Sequence, residues 1–136
     1  MTADDLALHF IPKQWRPFFE IRHLTEGAKE WRLELIEKEG SIPPELKEKG
    51  AVLNGFMRPV EIIDFPFQGK LMYIKFYRRR WKVAGENKSH FNEYRFHRPG
   101  MKTTDAFGDF LKGLDRTELD EFCTVWPGVR DFWQED

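Results

Sequence analysis

Cysteine is almost absent from this sequence, with Cys123 alone among 136 residues. A single cysteine excludes an internal disulfide framework and any zinc site built from several cysteines, and it fits a reducing compartment. Long apolar runs are also missing, since no stretch approaches the roughly 20 residues of a membrane helix. The first ten residues, MTADDLALHF, are acidic where a secretory signal is basic. These absences predict a cytoplasmic protein without a membrane span.

Charge of one sign is scarce in two parts of the chain, although the net charge of the whole is only -1. Residues 70–102 hold ten Lys and Arg against two acids, whereas residues 103–136 hold nine acids and three bases. Residues 1–69 hold twelve acids and nine bases. A basic segment in an otherwise acidic chain is typical of a surface that faces a polyanion. The alternative is that the basic segment pairs with its acidic flanks.

The first part of the chain has the composition of a β-hairpin. Two β-rich runs, 18–24 and 31–37, are joined by a polar turn at 25–29. The stretch 37–50 follows, with Gly, Pro and many charges, and predicts a surface connection with one helical turn at PELKEK. If the chain has an internal boundary, we expect it near residues 40–50.

A longer hairpin is predicted between Val60 and Val83. Pro66 is expected to end its first strand because proline cannot donate to a ladder, and Gly69 can take the positive φ of a tight turn. A further β-rich run, HFNEYRF at 90–96, predicts a third strand. Together these strands would form a meander.

The periodicity becomes helical after residue 100. A Thr-Thr-Asp cap at 103–105 precedes four apolar residues at helical spacing, namely Phe107, Phe110, Leu111 and Leu114. A second helix is predicted from Thr117 to Trp126. Strands followed by helices predict one α+β domain over 1–136, with antiparallel hairpins or a meander and short C-terminal helices.

An ordered set of motifs surrounds the second hairpin. It comprises FIP at 10–12, FFEI at 18–21, LNGF at 53–56, DFPFQGK at 64–70, MYIK at 72–75, RRRW at 78–81 and GMKTT at 100–104. Over about residues 10–114 this set resembles the N-terminal region of ISAon-type insertion-sequence transposases. The resemblance implies a non-catalytic module that recognises double-stranded DNA at the element ends. It also implies a partner, a catalytic DDE transposase subunit encoded downstream or reached by frameshifting.

The same hairpin is similar to one in ISL-type DDE transposases, where it belongs to a zinc-binding module. Those relatives place cysteine pairs around the hairpin, and this chain has none there. The zinc site of that module therefore cannot form, and aromatic residues are expected to hold the core in its place. The candidates are Phe76, Phe91, Phe96 and Trp81, the last packed beneath the helix at 104–114.

Nine basic side chains are the candidate DNA contacts: Lys70, Lys75, Arg78, Arg79, Arg80, Lys82, Arg95, Arg98 and Lys102. Guanidinium groups bind phosphate oxygens in a fixed fork, and an extended strand can follow a phosphate backbone. Strand alternation puts Arg79 on one face with Lys75, and Arg78 with Arg80 on the other. Because Lys75 interrupts an otherwise aromatic face, we expect that face to be solvated and Arg79 with Lys75 to contact phosphate. Arg78 and Arg80 would reach DNA only from the end of the strand.

No catalytic residue, cofactor or metal is predicted. His90 and His97 lack the nearby cysteine or acid pair of a metal site. Asp64 and Lys75 on neighbouring strands resemble part of a metal-dependent nuclease, but Tyr73 stands where its second carboxylate would be.

Two alternatives to DNA binding stay open. One is a protein-interaction module that docks the catalytic subunit through the acidic C-terminal helix, and the other is a solitary nuclease.

Overall fold

The computed structural model describes residues 8–133, so residues 1–7, on which part of the signal-sequence expectation rests, lie outside the described residues. The strands are β1 (Phe19–Glu26), β2 (Glu30–Glu37), β3 (Val52–Phe56), β4 (Val60–Phe67), β5 (Lys70–Tyr77) and β6 (Arg79–Lys82). The helices are α1 (Pro44–Glu48), α2 (Asp105–Lys112), α3 (Arg116–Val125) and α4 (Val129–Phe132). The predicted α+β class is confirmed, as are both hairpins and the helical turn at PELKEK.

The strands form one four-stranded sheet, in the order β1–β2–β5–β4, and one two-stranded sheet, β3–β6. The prediction that Pro66 ends a strand is wrong, because Pro66 lies inside β4. Strand β4 is at the sheet edge, where a residue without an N–H is tolerated. The turn that follows has two positive φ angles, 49° at Gln68 and 77° at Gly69, the pairing that a two-residue hairpin requires.

The predicted long strand at 70–83 is divided at Arg78. Strand β5 ends at Tyr77 and β6 begins at Arg79, where the chain passes from the four-stranded to the two-stranded sheet. The expected third strand at 90–96 does not form either. His90 alone of that segment makes a bridge, through backbone bonds of 2.8 Å with Trp81.

The described chain divides into two compact units. The first comprises 8–23, 33–60 and 75–94. Its core is aromatic, with the Trp15 ring 5.3 Å from Phe76 and 6.0 Å from Phe19, both in edge-to-face geometry. A second cluster joins Trp81 to Leu46 and Val83. Trp81 is buried as predicted, but these residues, not the helix at 104–114, are its core partners.

Of the other aromatic residues expected in the core, Phe76 and Phe96 are buried. Phe91 is 36% exposed, so its assignment to the core is wrong. Its ring lies on the surface beneath the Arg78 guanidinium, 4.9 Å from the ring centre. Phe91 therefore packs against a cation at the surface.

The second unit comprises 24–32, 61–74 and 95–133 of the described residues. Its core joins strand and helix residues, namely Ile63, Leu71, Phe107, Leu111, Leu119, Cys123 and Val129. Thr104 caps α2 by accepting a hydrogen bond from the Phe107 N–H, as predicted, and Cys123 is buried. Helix α3 begins earlier than predicted, after Asp115. None of the helices within 8–133 is long and apolar enough to cross a membrane.

Candidate nucleic-acid interface

The two-stranded sheet is a short antiparallel ribbon, called the β3–β6 ribbon below. Val52 pairs with Lys82 and Leu53 with Trp81, and a bulge follows before Phe56 meets Arg79. Gly55 lies in the bulge at a φ of 77°, a conformation that side chains with a Cβ rarely adopt. Alternation along β6 places residues 79 and 81 inward and residues 80 and 82 outward. The ribbon therefore buries one basic residue and presents two.

Arg79 is the buried one, with 8% of its surface exposed. Its Nε donates to the Glu37 carbonyl oxygen at 2.7 Å, and its backbone N–H donates to Glu37 Oε1 at 2.9 Å. The guanidinium also lies 5.6 Å from the centre of the Phe56 ring. The expectation that Arg79 is solvated and contacts phosphate is wrong. The division at Arg78 shifts the strand alternation by one residue, which turns Arg79 inward.

Glu37 organises this part of the first unit. Its surface is fully buried, and its carboxylate accepts hydrogen bonds from the Arg79 N–H, from Asn92 Nδ2 at 3.0 Å and from the Tyr94 hydroxyl. Burial raises the pKa of Tyr94, and its hydrogen bond to Glu37 raises it further. Asn92 and Tyr94 belong to the segment expected to be a strand. Instead of forming that strand, the segment donates two side-chain hydrogen bonds to the buried carboxylate of Glu37.

The outward residues of β6 are basic, with Lys82 exposed and Arg80 half-buried. Arg80 donates through Nε to the Asn54 carbonyl oxygen on β3 at 2.8 Å, an exposed hydrogen bond that leaves its other guanidinium nitrogens available. Lys82 is exposed beside Val52, which is 64% exposed. No carboxylate within residues 8–133 forms an ion pair with either cation. The ribbon thus carries two cations on its outer face.

Arg78 and Lys75 belong to the same unit as the ribbon. Arg78 donates to the Asn92 carbonyl oxygen at 3.2 Å and is half-buried over the Phe91 ring. Lys75 is half-buried on β5 and forms no ion pair with a carboxylate of residues 8–133. Arg78 is thus engaged in local packing, whereas Lys75 remains a candidate contact.

The other predicted residues lie in the second unit, where acids engage two of them. Lys70 pairs with Glu26 at 2.7 Å. Arg98 lies 2.6 Å from Asp109 and 3.6 Å from Asp105, and the hydrogen bond between Arg98 and Asp109 raises the pKa of Arg98 and lowers that of Asp109. The remaining two, exposed and without an ion pair within 8–133, are Arg95 and Lys102. The alternative of pairing with acidic flanks thus holds for part of the basic segment.

Sequence reasoning missed the strand that completes the ribbon. The run around Gly55 belongs to the motif set, but its composition does not predict the strand β3 that it forms. Sequence reasoning also missed Asn54, whose carbonyl oxygen holds Arg80, and Glu37. The signal for Glu37 was the alternation of β2, which places Leu33, Leu35 and Glu37 on one buried face.

The residues considered for metal or nuclease chemistry have structural partners. Asp64 accepts from the Phe65 N–H at 2.8 Å and from the Thr104 hydroxyl at 2.7 Å. His90 contacts Glu86, and His97 contacts the Arg98 carbonyl oxygen. Across residues 8–133, His, Cys, Asp and Glu side chains do not gather in groups of three that could hold a metal ion.

No protein-family model matches the chain, and neither curated proteins nor solved structures include a significant match. The function must therefore be inferred from the side chains themselves. Their most specific arrangement is the β3–β6 ribbon, an exposed two-stranded element with basic residues on its outer face.

Proposed function

We propose that this chain is the non-catalytic, DNA-binding N-terminal module of a bacterial insertion-sequence transposase and acts in the cytoplasm. The observation that supports DNA binding is the outward pair Arg80 and Lys82 on the β3–β6 ribbon. A two-stranded ribbon fits the major groove of B-form DNA, which is about 12 Å wide. The resemblance of the motif set supports the transposase part of the proposal.

The ribbon fixes one of its two cations, the Arg80 guanidinium. The hydrogen bond from Arg80 to the Asn54 carbonyl oxygen ties the side chain to the opposite strand. Buried Arg79 and Trp81 on either side of Arg80 anchor β6 to the first unit. A rigid cation loses less conformational entropy on meeting a phosphate than a freely rotating one. Arg80 is therefore suited to hold a duplex at a defined register, with Lys82 as a second cation on the same face.

Titration of duplexes at several salt concentrations tests this role. We expect Arg80→Ala with Lys82→Ala to weaken binding to an element-end duplex and to a scrambled duplex by similar factors. The slope of log affinity against log salt should fall by roughly two, since each phosphate contact contributes about 0.9. The unfolding midpoint should stay close to that of the wild type, because both side chains are on the outer face.

The matched control removes two exposed bases elsewhere, by Lys112→Ala with Arg116→Ala on α2 and α3. The net charge changes equally, so a specific ribbon contact predicts a normal slope for this control. An equal loss in both double variants would mean that only net charge matters and would contradict the ribbon as the interface. Failure of the wild type to bind either duplex would contradict DNA binding and favour the interaction-module alternative.

The transposase part has a separate test. If the catalytic DDE subunit is encoded downstream, co-expression should retain it on the tagged chain or improve discrimination between element-end and scrambled duplexes. If the chain binds DNA normally but neither retains the subunit nor discriminates better in its presence, DNA binding stands and the assignment to a transposase is contradicted.

A further inference from the structure

The outer face of the β3–β6 ribbon carries uncharged side chains beside its two cations. Val52 lies opposite Lys82, and directly opposed residues of an antiparallel pair point to the same side. Asn54 comes two residues after Val52, so strand alternation places it on that side as well. Leu53, between them, pairs with the buried Trp81 and belongs to the other side. The outer face thus combines two cations from β6 with an apolar and an amide side chain from β3.

The Asn54 side chain is exposed, and its amide has no hydrogen-bond partner within residues 8–133. Its backbone is held in place, because the carbonyl oxygen accepts from Arg80 Nε at 2.8 Å. Gly55 follows in the bulge. Apart from the residues on either side, only the Arg80 guanidinium of the described chain comes within 4 Å of the position that a Gly55 Cβ would take. An amide donor and acceptor therefore lie on a fixed backbone, next to a residue without a side chain.

The two β3 side chains suit one class of base pair. In the major groove adenine presents N7 as an acceptor and its N6 amino group as a donor, and an asparagine amide can bind both at once. Thymine presents a methyl group, which apolar side chains contact. Val52 is 64% exposed, so its own methyl groups are accessible for such a contact. Neither side chain carries a charge, so neither adds to the sequence-independent attraction between cations and phosphates.

The two strands of the ribbon differ in the kind of DNA contact that they can make. Phosphate contacts position a protein on the duplex, whereas contacts to base edges give sequence preference. The cations of β6 suit the first kind. We propose that β3 makes the second kind, with Asn54 bound to an adenine and Val52 against a thymine methyl group, so that the ribbon prefers A·T pairs. This inference rests on the proposed DNA binding and adds a sequence preference to it.

Selection from a pool of duplexes with a random central segment measures this preference. The full-length wild type should enrich A·T pairs within the selected site. Asn54→Ala should lose the enrichment at one position, while its affinity for a scrambled duplex and the salt dependence of that affinity stay unchanged, because no cation is removed. Its unfolding midpoint should also stay unchanged, since the carbonyl oxygen that accepts from Arg80 belongs to the backbone.

Two control variants separate the base contact from the rest of the surface. Asn87→Ala removes another exposed asparagine of the first unit, outside the ribbon, and should keep the enrichment. Lys82→Ala should bind every duplex more weakly but select the same base pairs, because it leaves the hydrogen bond between Arg80 and β3 in place. The variants of β3 and β6 are thus expected to have opposite effects on preference and on affinity.

Modified bases test the adenine contact at the level of single atoms. Replacing the selected adenine with 7-deazaadenine removes the N7 acceptor but keeps Watson–Crick pairing. This change should weaken wild-type binding by about fivefold or more, and Asn54→Ala should not distinguish the two duplexes.

Uracil in place of the selected thymine tests the Val52 contact, because uracil lacks the methyl group. Wild-type binding should weaken by about threefold, and Val52→Ala should reduce this effect. Val125→Ala is the matched control, at a site 67% exposed on α3, and should keep the full effect of uracil.

Several results would overturn this inference while DNA binding stands. They are wild-type selection without A·T enrichment, enrichment that Asn54→Ala retains, and equal wild-type binding to the adenine and 7-deazaadenine duplexes. An equal loss of affinity for all duplexes in Asn54→Ala would also overturn it, because the amide would then contact a phosphate. Absence of wild-type binding to every duplex would instead contradict the proposed function itself.

Discussion

Glu37 shows what a charge in a core position requires. A buried carboxylate is costly unless hydrogen bonds replace its water, and Glu37 has three donors to its two oxygens. The donors come from two distant segments, with Asn92 and Tyr94 lying 55 and 57 residues away along the chain. The alternation of β2 could predict that position 37 points inward. It could not predict the donors, because no local pattern connects them.

Removal of this carboxylate should be strongly destabilising. We expect Glu37→Ala to lower the free energy of unfolding by about 3–5 kcal/mol, because three donors lose a buried acceptor. Urea denaturation measures the change. Glu34→Ala on the opposite face of β2 is the control and should cost less than about 1 kcal/mol. Similar losses in both variants would show that Glu37 contributes no more than an outward glutamate.

Tyr94 should make stability depend on alkaline pH. Burial and Glu37 raise its folded-state pKa above the ordinary 10.0, so folding favours the protonated hydroxyl. Its contribution is fully present below pH 10 and is lost as pH rises through the raised pKa. Tyr94→Phe should therefore remove part of the fall in unfolding free energy above about pH 10. An unchanged alkaline profile in the variant would contradict this assignment.

The same residue has a spectroscopic signature. The difference in tyrosinate absorbance between the wild type and Tyr94→Phe isolates this hydroxyl from the two other tyrosines. The missing component should titrate above the ordinary tyrosine pKa, and a component that titrates at the ordinary value would argue against the buried contact.

At the scale of elements, the start of α3 shows how a correct pattern can be assigned to the wrong residue. The sequence offers Thr117 with Asp120 and Asp115 with Glu118, and both fit a cap pattern. The structure uses the second pair, with the Glu118 N–H donating to Asp115 at 2.8 Å and the Asp115 N–H donating to Glu118 at 3.0 Å. This reciprocal capping box starts the helix at Arg116, one residue before the predicted start at Thr117.

Alanine substitution distinguishes the two starting points. Asp115→Ala should cost about 1 kcal/mol, the usual value for loss of an N-cap, whereas Thr117→Ala should be neutral or slightly stabilising because alanine favours a helix interior. Thermal unfolding followed by circular dichroism measures both. A larger loss of stability in Thr117→Ala than in Asp115→Ala would indicate that the helix begins at Thr117, as the sequence predicts.

The transition between β5 and β6 was harder to predict. Composition predicts one uninterrupted strand through Arg78, since every residue around it favours a strand or tolerates one. What interrupts it is tertiary, because β3 offers β6 a partner and Glu37 offers Arg79 a buried acceptor. A shift of one residue exchanges the two faces of a strand. For that reason the strand was predictable, but the choice of which arginine faces solvent was not.

At the scale of the whole molecule, some bases of the basic segment form ion pairs with acids and others do not. In the second unit, acids neutralise Lys70 and Arg98. In the first unit, Arg80 and Lys82 project from the ribbon without such partners within 8–133. Net charge along the sequence revealed the imbalance, but pairing depends on the fold. The basic segment could therefore be located from sequence, and its exposed members could not.

Metal removal tests the molecule as a whole. We expect purified protein to contain no stoichiometric zinc, and a chelator to leave its unfolding midpoint unchanged, because aromatic clusters and the Glu37 network supply the core contacts. Elemental analysis and thermal unfolding with and without chelator provide the measurements. Unfolding on chelation would mean that a metal site contributes to the fold.

The outer edge of β4 bears on aggregation. Ile63 donates to the Lys102 carbonyl oxygen and accepts from the Thr104 N–H, so a segment about 40 residues away in sequence covers this edge. Until that segment docks during folding, the apolar run VEIIDF has an open edge that another chain can pair with. Refolding at high concentration should therefore lose material to intermolecular β-structure. The loss should be greatest in variants that weaken the contacts of Thr104, even if their native state stays folded.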